Sequence, residues 1–425
     1  MKNESESKLK QTLDTFEAGF GGLRESARLV LAVAATTRLK RKHPLAVILV
    51  GGPSSGKTTL LMPFTKGQDG SKLKTETLRV DDFSAASLVS HAANKTEEQL
   101  AKIDLLPKLK NRCVIVKEMA PVFTGNEEEL LRKFGIFASI LDGEGYTSSK
   151  GTHGQRGYTD PILFSLLGAV TPNVLSRKVT KSLDAVGPRF CFWFIPDRQI
   201  NATTWRGSNT KSSEKQVKAE AALISFAEHL FESHAPGSVV LDEFKMSEEM
   251  HAKLSLIAVT MAMLRTRGIE EVDDEGNRLG VELTHESPER AYRYLEQIVF
   301  GSALADDRRE VENQDLQLAL KTAISSASSS RRKTLMALIE AGGKRTNREL
   351  CIAMKVDDDT AAKYAKFMEA SGFLERANFD GTTQWDLTEA YRPLRTIYDP
   401  TLVSEEEIRR VREEMDEDPE SELPF

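Results

Sequence analysis

Cysteine is scarce in this chain of 425 residues: only Cys113, Cys191 and Cys351 occur, far apart and with no C-x-x-C pair. That spacing gives neither a disulfide framework nor a structural zinc site, and a reducing cytoplasm is the expected home. Long apolar runs are missing too. Nothing approaches the roughly 20 residues that cross a bilayer, so no membrane partner is expected. The polar start, Met1 to Ser7, lacks a signal-peptide core. Repeats at solenoid spacing are absent. What remains is the composition of an ordinary globular protein, 40% hydrophobic and 29% charged, long enough for two or three domains.

A net charge of one sign is also missing from most of the chain. The total is −6, yet residues 405–425 hold ten acids and three arginines, a local −7. Subtracting that leaves +1 for the first 404 residues. The tail hides a near-neutral body, so overall acidity says little against a nucleic-acid partner.

The richest signal is Leu45-Ala-Val-Ile-Leu-Val50 followed by Gly51-Gly52-Pro53-Ser54-Ser55-Gly56-Lys57-Thr58-Thr59. An apolar strand, a glycine turn and a helix start surround G-x-x-x-x-G-K-T, the context a phosphate-binding loop requires. Gly51 and Gly56 let several N–H groups face one anion, and the helix that follows adds the positive end of its dipole. Lys57 is expected on the β- and γ-phosphates and the Thr58 hydroxyl on Mg²⁺. ATP with Mg²⁺ is the expected ligand.

Further strands are expected at 78–82, 111–118, 164–171 and 189–195, with an amphipathic helix over 127–141. Strands separated by helices imply a parallel α/β sheet. The expected division is N-terminal helices over 1–43, a phosphate-loop core over 44–216, a helical lid over 217–330 with a hairpin at 273–277, and a further domain over 331–395. The acidic tail covers 396–425. In the fourth part, three short helices precede two strands about an Asp380-Gly381 turn, the pattern of a winged helix.

Several side chains are candidates for chemistry. Glu118 ends the third strand, 61 residues after Lys57, where a carboxylate can take a proton from an attacking water. Thr171, before Pro172, ends the fourth strand and is expected near the γ-phosphate or that water. Arg189 opens the aromatic fifth strand; its planar fork suits a phosphate on a neighbouring subunit, which would make the active unit a ring. Arg290 and Arg293 on the helix opened by Ser287-Pro288 are candidates for a lid contact to the nucleotide. Asp81 and Asp82 are candidate metal ligands beside Thr58. The glycine-rich stretch from Gly143 to Gly157 carries Lys150, His153 and Arg156, and as a hairpin would hold a nucleic-acid backbone.

With these elements in chain order, residues 23–324 resemble the AAA+ ATPases. The likeness is nearest to the branch of minichromosome-maintenance helicases and helicase-like ATPases of phages and mobile elements, with a winged helix appended. The resemblance implies an α/β AAA+ core with a helical lid. Gly51 to Thr58 then stands as the Walker A loop, Glu118 as the Walker B glutamate, Thr171 as sensor 1 and Arg189 as the arginine finger. Arg290 or Arg293 fits sensor 2. Two positions depart from the pattern: Lys117 stands where an acid holds Mg²⁺ through water, and Thr171 where asparagine is common.

The winged-helix stretch is nearly neutral. Residues 331–395 hold twelve basic and ten acidic side chains. Lys363 and Lys366 share one face of the expected recognition helix, but Asp357, Asp358 and Asp359 crowd the end that would enter a groove. The expected function is an ATP-hydrolysing, helicase-like ring of identical subunits, a hexamer among the sizes open, acting on DNA. The alternative is a non-processive ATP switch that sits on DNA and recruits protein partners through the winged helix or the tail. A small-molecule kinase is a weaker rival.

Overall fold

The computed structural model describes residues 7–82, 85–92, 94–150, 154–175, 189–195, 213–272, 278–284, 286–379 and 381–399. The turn at 273–277, residues 400–425 of the acidic tail and residues 187–188 before Arg189 lie outside them. The chain forms two compact units, Met1–Lys245 with Gln297–Val311, and Met246–Glu296 with Glu312–Phe425.

The first unit is α/β. Its central sheet has five parallel strands: β1 (Leu45–Val50), β2 (Thr77–Arg79), β3 (Cys113–Val116), β6 (Ser165–Val170) and β7 (Cys191–Phe194), in the spatial order β2-β3-β6-β1-β7. Between β3 and β6 an antiparallel ribbon, β4 (Tyr146–Lys150) and β5 (Gly154–Tyr158), departs from the sheet. All six residues of β1 and of β6 are buried. Both faces of these two strands are covered, which is why they read as continuous Val, Leu, Ile and Ala runs rather than alternating ones. The strands expected from sequence at 78–82, 111–118, 164–171 and 189–195 are present, two to four residues longer there than their hydrogen-bonded cores.

Helices α1 (Lys8–Gly19) and α2 (Arg24–Ala35) precede the sheet. Glu17 accepts N–H bonds from Gly22, Leu23 and Arg24 at 2.6, 3.2 and 2.9 Å and so caps α2. The helix after the glycine loop is shorter than the sequence suggests. It is α3 (Lys57–Leu61), continued only by a 3₁₀ turn over Met62–Thr65. Pro63 lacks the N–H that a continued α-helix needs. The dipole expected to aid anion binding is therefore that of about one turn.

After α4 (Lys72–Glu76) and α5 (Glu97–Ile103), α6 (Glu127–Leu141) occupies the expected span. An Asn126/Glu129 capping box starts it. Helix α7 (Glu214–Ser233), expected in the lid, packs instead on α1 and α4 inside the first unit. The basic run after α2 is not all surface: Arg38 and Arg41 are buried. Arg38 pairs with Glu76 and lies 4.4 Å over the Phe231 ring; Arg41 donates to Ser165 Oγ at 2.8 Å and Gln297 Oε1 at 2.9 Å.

The second unit begins with α8 (Glu248–Leu264) and the antiparallel pair β8 (Arg267–Val272) and β9 (Arg278–Thr284). Helix α9 (Pro288–Ala305) belongs to this unit up to Glu296. It continues with α10 (Asn313–Ser325), α11 (Ser329–Glu340), α12 (Asn347–Met354) and α13 (Asp358–Ala370). A three-stranded sheet follows, in the order β10-β12-β11, from β10 (Arg345–Thr346), β11 (Leu374–Phe379) and β12 (Thr382–Leu387). The strand at Arg345 is an addition to the two read from sequence. Trp385 is buried with its Nε1 donating to Asn347 Oδ1 at 2.7 Å, and a short helix, α14 (Leu394–Tyr398), supplies Arg395 to a buried pair with Asp386. Among the described residues no helix is long and apolar enough to cross a membrane.

Candidate active site

The strand order brings three of the expected site segments to one edge. Strand β6 lies between β1 and β3, so the residues after all three strand ends are neighbours. Two backbone bonds fix them: Gly51 N–H donates to Val170 O at 3.2 Å, and Met119 N–H to Ala169 O at 2.7 Å. Gly51, Thr171 and Glu118 thus follow adjacent strands at their carboxyl ends, the place where open α/β sheets bind ligands.

The glycine loop carries two left-handed residues. Ser54 and Gly56 adopt positive φ, 61° and 96°, and the Ser55 N–H between them donates to Gly52 O at 3.3 Å. Both outer glycines are crowded, so a side chain at either would force a neighbour to shift. A Cβ on Gly51 would lie 2.4 Å from Ser55 Oγ, and one on Gly56 would lie 2.5 Å from Leu23 Cδ1. Gly56→Ala therefore combines left-handed strain with a clash against a buried leucine. We expect it to lower unfolding stability by about 1–3 kcal/mol and to weaken ATP binding, measured by urea unfolding and nucleotide titration.

Lys57 is buried, at 8% exposure, and its ammonium donates to Gly51 O at 2.6 Å, Gly52 O at 2.7 Å and Ser55 Oγ at 3.3 Å. The side chain curls back over its own loop. Burial lowers its pKa, and the nearby carboxylate of Glu118 opposes that shift. Glu118 is half-buried two residues beyond β3, and its Oε1 accepts the Ala120 N–H at 3.1 Å. Thr171 is half-buried directly after β6, where its carbonyl accepts the Val174 N–H at 3.1 Å. Thr58 and Thr59 open α3, with Thr58 exposed.

The metal candidates do not gather. Asp81 and Asp82 are exposed and follow β2, the edge strand on the far side of β3 from the loop; Asp81 pairs with Arg79 at 2.9 Å. Strand spacing puts β2 about 14 Å from β1. Among the described residues no three His, Cys, Asp or Glu form a metal cluster. Of the residues expected to hold Mg²⁺, Thr58 alone adjoins the glycine loop, and one hydroxyl would leave most of an octahedral shell to phosphate and water.

Arg189 sits at the other edge of the sheet. It precedes β7, whose Cys191 pairs with Val47 near the start of β1, and it forms an ion pair with Asp142 at 2.7 Å. Its own chain's glycine loop lies at the opposite strand ends. Arg290 and Arg293 lie on α9 in the second unit, Arg290 3.8 Å from Glu286 and Arg293 exposed.

The glycine-rich stretch is the β4–β5 ribbon. Lys150 closes β4, and His153 lies outside the described residues. Arg156 is not the exposed cation expected for a nucleic-acid contact. Its side chain is 9% exposed and pairs with the wholly buried Asp104 at 3.1 Å, while donating to Ser90 O. Asp104 also accepts from Ser90 N at 2.7 Å and Tyr158 Oη at 2.9 Å, and burial with that carboxylate pushes the Tyr158 pKa up to about 12. The ribbon is clamped to the segment after α5. Asp104→Ala leaves Arg156 uncompensated, and a loss of about 3–5 kcal/mol in unfolding free energy is expected, read by chemical denaturation. No local pattern signals this network, because its bonded partners are 14 to 66 residues apart.

On α13, Lys363 and Lys366 are both exposed. Asp357 caps the helix by accepting Thr360 N at 2.8 Å, and that bond lowers its pKa, so the acid stays charged beside Asp358 and Asp359. The chain matches no protein-family model and no curated protein, so the chemistry of this site rests on the residues themselves.

Proposed function

We propose that this chain is an ATP-binding and ATP-hydrolysing protein of the AAA+ kind, acting on DNA as a ring of identical copies. The observation that carries the reading is the neighbourhood of Lys57, Thr171 and Glu118 at three adjacent strand ends. ATP supplies a phosphoanhydride bond whose cleavage can do work. Gly51 to Thr59 would hold its phosphates through loop N–H groups, and Lys57 would exchange its carbonyl partners for phosphate oxygens. Glu118 would accept a proton from water. Thr171 would hold the water or the terminal phosphate in line. Arg189, remote from its own chain's loop, would complete the site of a neighbour, and Arg290 or Arg293 would contact the nucleotide. DNA would meet the winged-helix region, through Lys363 and Lys366, and the end of the ribbon that carries Lys150.

A second reading, an ATP-driven switch without processive movement that recruits protein partners, is favoured by three observations. Lys117 replaces an acid beside Glu118, Arg156 is committed to the fold, and three aspartates open α13. Steady-state ATP hydrolysis with and without single- or double-stranded DNA, alongside particle size with a slow ATP analogue, separates the readings. DNA-stimulated turnover by an assembled particle supports the first. Assembly without stimulation or strand displacement selects the second. Particles that stay single with saturating nucleotide reject both.

A further inference from the structure

Asp142 stands where helix electrostatics disfavours it. It is the C-cap of the 15-residue helix α6, the negative end of the dipole, where an anion is disfavoured. Its compensation is Arg189, whose Nη2 donates to Oδ2 at 2.7 Å and whose Nε donates to the same oxygen at 3.2 Å.

Both anchors of this pair are fixed. Asp142 donates its own N–H to Ala138 O at 2.9 Å, and its carbonyl accepts from His43 Nδ1 at 2.9 Å. Gly143 turns the chain at φ 82°, and a Cβ there would come within 2.9 Å of Lys42 O. On the other side, Phe190 is buried and meets Phe123 and Phe137 edge-on at 6.3 and 5.9 Å, which holds the backbone of Arg189. A long side chain with many rotamers is thereby set in one direction before any ligand arrives. Preorganisation of this kind raises the productive fraction of encounters rather than the affinity for nucleotide.

The geometry points to Asp142 as the positioning residue for Arg189, fixing the guanidinium that serves the ATP site of the neighbouring copy. The inference rests on the in-trans role proposed above for Arg189. Asp142 is also four residues from the start of β4, so the aim of the arginine is tied to the base of the ribbon.

The test uses the full chain with Asp142→Ala and Asp142→Glu. The alanine variant is expected to lose roughly 10–100-fold in kcat with KM for ATP unchanged, and the glutamate variant to regain most of it. Mixed assemblies supply the decisive readout. Glu118→Gln chains have an idle pocket but an intact Asp142–Arg189 pair, so mixing them with Asp142→Ala chains is expected to raise turnover well above the mean of the separate samples. A general folding defect in Asp142→Ala would not be repaired in this way. Arg189→Ala mixed with Glu118→Gln is the reference pair. If the reference mixture recovers and the Asp142→Ala mixture does not, Asp142 has no positioning role and the in-trans arginine stands. If neither recovers, the in-trans reading fails and this inference goes with it. An unchanged kcat in Asp142→Ala, or a change confined to KM, also overturns it.

Discussion

Glu118→Gln is expected to reduce ATP turnover by about 10²–10⁴-fold, the span usual for removing a general base, while ATP binding stays close to that of the unaltered chain. The expectation follows from position. Glu118 comes two residues after β3, one strand away from the end of β1, and its charge is felt at Lys57. Glutamine keeps the oxygen that accepts the Ala120 N–H, so the local turn persists while the basic group is lost. Isothermal titration with ATP and a phosphate-release assay on the same sample separate the two effects. Undiminished phosphate release in this variant would remove Glu118 from the reaction and leave Lys117 and Thr171 to account for any hydrolysis.

The second large effect belongs to Lys57. Its ammonium already satisfies two carbonyls and a hydroxyl, and bound phosphate would take over the same donors. Charged hydrogen bonds of this kind contribute about 1.5–3 kcal/mol each, so losing two in Lys57→Ala is expected to weaken ATP binding by roughly 10²–10⁴-fold. Gly52 is half-exposed, so water can replace part of what its carbonyl loses, and the change in fold stability should be near 1 kcal/mol. A pH dependence accompanies this. Burial lowers the Lys57 pKa, which favours the neutral amine. The affinity for ATP should therefore fall as pH rises, beginning below the range where an ordinary lysine titrates. Lys57→Arg should flatten that profile, because a guanidinium keeps its charge. An affinity in Lys57→Ala equal to that of the parent would show that the loop does not grip phosphate.

The elements with strong local patterns were legible from sequence: the six-residue apolar run of β1, the amphipathic span 127–141, and the glycine loop between a strand and a helix start. Each depends on neighbours in the chain. Strand order was not legible, and it decides the site, because Glu118 and Thr171 meet the loop only once β6 lies between β1 and β3. The fate of charged residues was misread for a related reason. Arg156 reads as an exposed cation in the sequence, yet it finds a carboxylate 52 residues away, Asp104; Arg38 likewise meets Glu76, 38 residues on. Burial of a charge depends on a partner that only the fold supplies. The short α3 was foreseeable from Pro63, since proline's missing N–H is a local property.

Leu23 gives the N-terminal helices a significance beyond their own packing. Glu17 holds the start of α2, and there Leu23 fills the space that a side chain on Gly56 would need. The glycine loop is thus backed by a residue that precedes the sheet altogether. A protein trimmed to begin at β1 would keep every residue of the G-x-x-x-x-G-K-T signature while losing the wall behind it. In this chain the signature is not a portable cassette; its curvature is partly written in the helices upstream.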